Sequence, residues 1–194
     1  MSMRKRARSA RLTAEEGFTL AELMVFIGVM IIFLIGIGGM ISSGVKSSTA
    51  SYNLVKISQG ANEAMVTMVR QIRVATSINT ASTANSIIFT GDVNGDGTDT
   101  AVRFDAAGGY LRRGTSAADM SDWIAEVDGV AFTYYYFNKD LKELQAVTPG
   151  SAAWTANLTQ IRRIDIALAM SRSSVGITID RDYTGSVTLR NALQ

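Results

Sequence analysis

The sequence predicts an α+β protein: a long N-terminal helix packed on a C-terminal antiparallel β-sheet domain. Three observations carry that prediction. Residues 18–41 form a 24-residue apolar run holding one charge, Glu22. From residue 42 to 78 the apolar positions keep a helical period, and no proline interrupts the chain before Pro149. After Asn79 the pattern changes to short β-rich runs separated by Gly, Asn and Asp.

Composition limits the chemistry. The 194 residues suit one domain with an appendage. Hydrophobic residues make up 47% and charged residues 19%, which excludes an intrinsically disordered chain. There is no Cys and no His, so thiol nucleophiles, disulfides, Cys/His zinc sites and histidine bases are excluded. The net charge of +2 is unevenly spread. Residues 1–17 carry five basic residues (Arg4, Lys5, Arg6, Arg8, Arg11) against Glu15 and Glu16, leaving the remaining chain at −1. No strong field marks the body of the protein for nucleic acid.

The apolar run at 18–41 would span ~36 Å as a helix, enough for a bilayer core of ~30 Å. A buried helix of a soluble protein would show a polar face, and this run shows none. The basic flank before it predicts a cytoplasmic N-terminus, a single pass through the membrane and a C-terminal part on the other side. The run is too long for an ordinary signal peptide, and no Ala-x-Ala site follows it. A plain anchor leaves Glu22 unexplained, because a carboxylate costs roughly 2.5–3.5 kcal/mol at the centre of a bilayer and less near its edge.

The residues around that acid read Gly17-Phe18-Thr19-Leu20-Ala21-Glu22-Leu23. GFTLAEL, after a basic leader and at the start of an apolar run, resembles the processing site of type IV prepilins, the family of pilus subunits and type II secretion pseudopilins. The resemblance implies that residues 1–17 are a leader cut after Gly17 by a prepilin peptidase. Phe18 would become the N-methylated mature N-terminus. Glu22 would pair with the N-terminal amine of a neighbouring subunit during filament assembly. Pairing offsets part of the desolvation of both charges, so Glu22 would act as a register device. Many type IV pilins carry a proline near the membrane exit. This chain has Gly38-Gly39 there, which puts a proline kink in doubt.

Residues 42–78 are expected to continue the helix as an amphipathic segment, so that residues 18–78 form one element. Val45, Tyr52, Val55, Ile57, Met65, Met68, Val69 and Ile72 recur at helical spacings. Residues 79–194 are expected to form the globular domain. Strand candidates are Ser86–Thr90, Ala101–Asp105, Tyr110–Arg112, Val130–Phe137, Ile164–Met170 and a short last strand at Val187 and Leu189. Gly114–Asp122 and Val147–Thr159 read as loops. The helix end, the DVNGDG hairpin, the tyrosine-rich strand and the closing SVTLRN resemble minor subunits, namely PilW-type minor pilins and the J-type pseudopilin.

Two local patterns have alternative readings. Asp92, Asn94 and Asp96 stand at the first, third and fifth positions of a calcium loop, and Asp99 could complete the set. Arg103 occupies the twelfth position, where an EF-hand needs Glu. The same residues suit a hairpin turn. In Tyr134-Tyr135-Tyr136, strand alternation turns Tyr135 away from its neighbours, for core packing on one side or stacking on a partner.

The expected function is a non-enzymatic minor subunit, at the tip or in the initiating complex of a type IV pilus-like filament. Its partners would be other pilin or pseudopilin subunits, prepilin peptidase, the inner membrane and the assembly machinery. No cofactor is required beyond the calcium alternative. A type II secretion pseudopilin, or an adhesive or DNA-capturing tip pilin using Arg112-Arg113 and Arg162-Arg163, stands as the other reading. The near-neutral body argues against a dominant phosphate-binding role.

Overall fold

A computed structural model describes residues 18–190. The fold is α+β: a long N-terminal helix followed by antiparallel sheets. Helix α1 runs Leu20–Arg73. The chain divides into two units, one ending at Val45 and one beginning at Lys46.

The first unit is the apolar part of α1. It is long and apolar enough to cross a membrane. Every residue from Phe18 to Ser48 is exposed to solvent in the isolated chain. Exposing a large apolar side chain forgoes roughly 1.5–3 kcal/mol, so a surface of this kind demands lipid or other helices around it.

The second unit holds the remainder of α1 and two sheets. The first sheet is a meander of β1 (Ala75–Ile78), β2 (Ser86–Gly91), β3 (Thr100–Ala107), β4 (Tyr110–Gly114) and β5 (Ser121–Ala125), adjacent in that order. The second comprises β6 (Val127–Asn138), β7 (Glu143–Val147), β8 (Ile161–Ser174) and β9 (Ile177–Thr188), in the order β7-β6-β8-β9. All pairings are antiparallel.

Both sheets meet the helix along one stripe. Asn53, Ile57, Ala61, Ala64, Met68 and Ile72 are buried, at intervals of three and four that bring them onto one helical face. Small residues let the sheets come close. At Gly60 an added Cβ would lie 3.4 Å from both Ile124 of β5 and Met170 of β8. An amide brackets each end of the stripe. Gln71 Oε1 accepts from Arg113 Nε of β4 at 3.2 Å, and Asn53 Oδ1 accepts from Arg172 Nε of β8 at 3.0 Å. Arg172 also pairs with Glu126 and lies 5.5 Å from the centre of the Tyr52 ring. Each sheet is thus tied to the helix by one arginine.

The sequence reading needs five corrections here. The helix stops at Arg73, five residues before the expected end, and Ala75–Ile78 is a strand. β-branched Val74, Thr76 and Ile78 favour extended backbone. Gly91 of β2 closes this edge, since a Cβ there would lie 2.5 Å from the Val74 carbonyl oxygen. The β-domain forms two sheets rather than one. The last strand is twelve residues long, reached through a Val175-Gly176 turn with φ of 53° and 72°, while Leu189 lies just past its end. The stretch 147–159 contains a helix, α2 (Ala152–Asn157), capped by Ser151, whose hydroxyl accepts from the Trp154 N–H at 3.1 Å. In the other expected loop, β5 begins at Ser121.

Trp154 of α2 is buried against Tyr134, edge to face at 4.8 Å, and its indole N–H donates to the Thr80 carbonyl at 3.1 Å. Tyr134 is fully buried and its hydroxyl donates to the Thr83 carbonyl at 3.0 Å. Tyr135 carries Arg163 at 5.3 Å from its ring centre. A register shift separates Tyr135 from Tyr136, whose hydroxyl donates to Gln145 Oε1 at 2.8 Å.

Burial pushes the Tyr134 hydroxyl above its ordinary pKa of 10.0. The folded state therefore holds it neutral where an unfolded chain would ionise. Its contribution to stability is complete below about pH 10 and falls as pH rises beyond it. Tyr134→Phe is expected to be less stable at neutral pH, through the lost bond to Thr83, yet to lose less stability between about pH 9 and about pH 11. Thermal midpoints of both proteins across that range would check this.

Candidate assembly site and acidic loop

The start of α1 is built by Thr19 and Glu22. The Thr19 N–H and hydroxyl donate to Glu22 Oε2 at 3.0 and 3.1 Å, and the Glu22 N–H donates back to Thr19 Oγ1 at 3.2 Å. This reciprocal arrangement is a capping box. It satisfies backbone donors that the first turn of a helix otherwise leaves free, a severe requirement where water is scarce. The second carboxylate oxygen, Oε1, takes no hydrogen bond among the described residues. The Glu22 side chain thus has one oxygen serving its own helix and one open to an outside donor. Phe18, the residue after the expected cut, is 85% exposed. Gly17 lies outside the described residues.

The capping role of Thr19 is absent from the sequence reading above, although T-x-x-E before an apolar run is its signature. Within GFTLAEL the acid stands out by its charge, while its partner three residues earlier is an ordinary polar residue.

The DVNGDG loop closes on itself. Asp92 Oδ1 accepts from the Gly95 and Asp96 N–H groups at 2.7 and 3.1 Å, and Oδ2 accepts from Gly97 at 3.0 Å. Asp96 accepts from the Thr98 N–H at 2.8 Å, and Asp99 from the Thr76 hydroxyl at 2.7 Å. Gly95 and Gly97 supply φ of 74° and 80°. Among the described residues no group of three or more His, Cys, Asp or Glu is placed to hold a metal ion. Asp92, Asp96 and Asp99 brace the turn by accepting from the chain's own donors, while the Asn94 side chain makes no hydrogen bond among the described residues. Millimolar calcium is expected to give no heat and no thermal shift, whereas Asp92→Ala should lower stability by about 1–2 kcal/mol through the three lost bonds. Calorimetry and a thermal melt check the two statements separately.

Three residues of the basic pairs are engaged within the chain, while Arg162 Nη1 is buried without a partner among the described residues. Arg112 pairs with Asp105 at 2.8 Å, Arg113 bonds Gln71, and Arg163 holds Asp165 through two bonds of 2.7 and 2.9 Å. That ion pair holds the Arg163 guanidinium above its ordinary pKa. Arg162 is half-buried.

Among the described residues, these features define an α+β chain with one helix suited to a single-pass membrane anchor and a carboxylate at its start. No protein-family model and no curated protein matches the chain.

Proposed function

We propose that the protein is a minor subunit of a type IV pilus-like filament, processed by a prepilin peptidase and inserted through its N-terminal helix. In this reading it is non-enzymatic, starts as a single-pass inner-membrane protein with an extracytoplasmic domain, and moves into the filament at its tip or initiating complex. A type II secretion pseudopilin is the same reading in a different machine.

The observation that carries it is Glu22, the one charge in an otherwise apolar and fully exposed helical surface, with a free carboxylate oxygen. An anchor that met only lipid would have no use for that oxygen. A neighbouring subunit's N-terminal amine gives it a partner and sets the register between helices. The GFTLAEL resemblance and the helix-on-sheet architecture support the same reading.

The test is cleavage. Co-expressed with a prepilin peptidase, the chain should lose residues 1–17 and gain a methyl group on Phe18, seen by intact-mass spectrometry. Gly17→Leu should block the cut. A chain that keeps its leader in the presence of active peptidase overturns the assignment.

A further inference from the structure

A cleft of about 570 Å³ opens in the second unit, between the flank of α1 and the ends of β3, β4 and β5. That volume falls in the range of small-molecule sites, ~300–1,000 Å³. We propose that it binds a neutral carbohydrate. The inference goes beyond the assembly reading and does not depend on it.

The lining combines one aromatic ring with charges of both signs. Trp123 is half-buried, and the Phe104 ring supports it at 6.1 Å. Around it stand the carboxylates of Glu63, Asp119 and Asp122, the guanidinium groups of Arg70 and Arg113, and the amide of Asn94. Among the described residues, Glu63, Arg70, Asn94 and Asp122 have no side-chain hydrogen bond or ion pair, and Arg113 uses only its Nε, toward Gln71. Acceptors and donors are therefore both left available around one indole.

Charge decides the ligand class. Three carboxylates repel a phosphate or a nucleic acid, and two guanidinium groups repel a metal ion or an amine. A neutral polyol can donate to the first and accept from the second, since each hydroxyl does both. The C–H face of a sugar ring also gives the indole an apolar partner, so stacking and hydrogen bonding act together.

The rim is already ordered. The Asp119 carboxylate accepts from the Thr115 hydroxyl and from the Ser116 and Thr115 N–H groups, the latter two at 2.6 and 3.1 Å to Oδ1, and these bonds hold it below the usual carboxylate range. Gly114 permits this turn, because a Cβ there would lie 2.9 Å from the Asp119 carbonyl oxygen. On the opposite side, Asp92 braces the loop that presents Asn94. A preformed rim lowers the entropy lost on binding.

The experiment uses the full chain in lipid nanodiscs, free of sugar-bearing detergent, titrated calorimetrically. The probes are galactose, mannose, N-acetylglucosamine, cellobiose and N,N′-diacetylchitobiose, with a single-stranded DNA oligonucleotide beside them. At least one sugar should give saturable heat with a dissociation constant of about 1 mM or tighter. Asp122→Asn, on an exposed side chain, should weaken it about tenfold. Trp123→Ala should abolish it, and a thermal melt shows whether that variant is folded. No saturable heat from any sugar overturns the proposal. So does binding unchanged in a folded Asp122→Asn protein, or heat from the oligonucleotide alone.

Discussion

Glu22→Ala is expected to leave leader cleavage near the wild-type level and to lower incorporation into filaments at least about tenfold. A tenfold change needs only about 1.4 kcal/mol, less than the cost of one unpaired charge in hydrocarbon. The capping box makes the companion variants informative. Glu22→Gln can still accept from Thr19 at the same positions, because Gln also closes a capping box. It has no charge to offer a neighbouring amine. Thr19→Ala does the opposite, forgoing about 1 kcal/mol of cap while keeping the carboxylate. If pairing governs assembly, both Glu22 variants fail and Thr19→Ala assembles. If the cap governs, Glu22→Gln assembles and Thr19→Ala fails. Immunoblots of sheared filaments, beside intact-mass spectra of the membrane fraction, separate these outcomes. Wild-type incorporation of both Glu22 variants would remove the assembly role of the acid.

Trp154→Ala is expected to be the most damaging single change in the second unit. It vacates a buried site against Tyr134 and leaves the Thr80 carbonyl without its donor. Large-to-small changes at such sites cost about 3–5 kcal/mol, a fall in thermal midpoint of roughly 6–20 °C for a chain of this size. Trp154→Phe should recover much of the packing and none of the hydrogen bond, placing it between the two. Differential scanning calorimetry of the three proteins in nanodiscs gives the order. A Trp154→Ala midpoint within about 2 °C of wild type would mean that α2 is not part of the cooperative core.

The features most legible in the sequence were those governed by periodicity. The apolar run, the helical stripe and the alternation of Ile164, Ile166, Leu168 and Met170 each report one face of one element. That all four are buried on β8 follows from the period of two. What escaped was set by contacts distant in sequence. Ala75–Ile78 continues a helical pattern and becomes a strand because Gly91 lies beside it. The division into two sheets is invisible locally, since each strand reads alike in either. Trp154 lies in a stretch that Pro149 and Gly150 mark as loop, and only its burial shows that α2 seals the core. At the site the balance was similar. GFTLAEL marked Glu22, yet the carboxylate's bond to Thr19 had to be seen. The DVNGDG spacing suits a cation or a turn equally, and the structure adds the bonds from the Gly95, Asp96 and Gly97 N–H groups to Asp92 that shape the turn. Trp123 and its cleft had no sequence signal, because the lining comes from α1, three strands and two loops.

The two amide–arginine bonds have a mechanical consequence. Asn53 and Gln71 stand eighteen residues apart, five whole turns at 3.6 residues per turn, so they lie on one line along the helix. A pull along the helix axis shears both bonds at once, together with the apolar stripe between them. A sideways pull at one end would instead break them one after the other. The second unit should therefore resist axial tension far better than peeling, a difference that single-molecule pulling from two attachment geometries would measure as force.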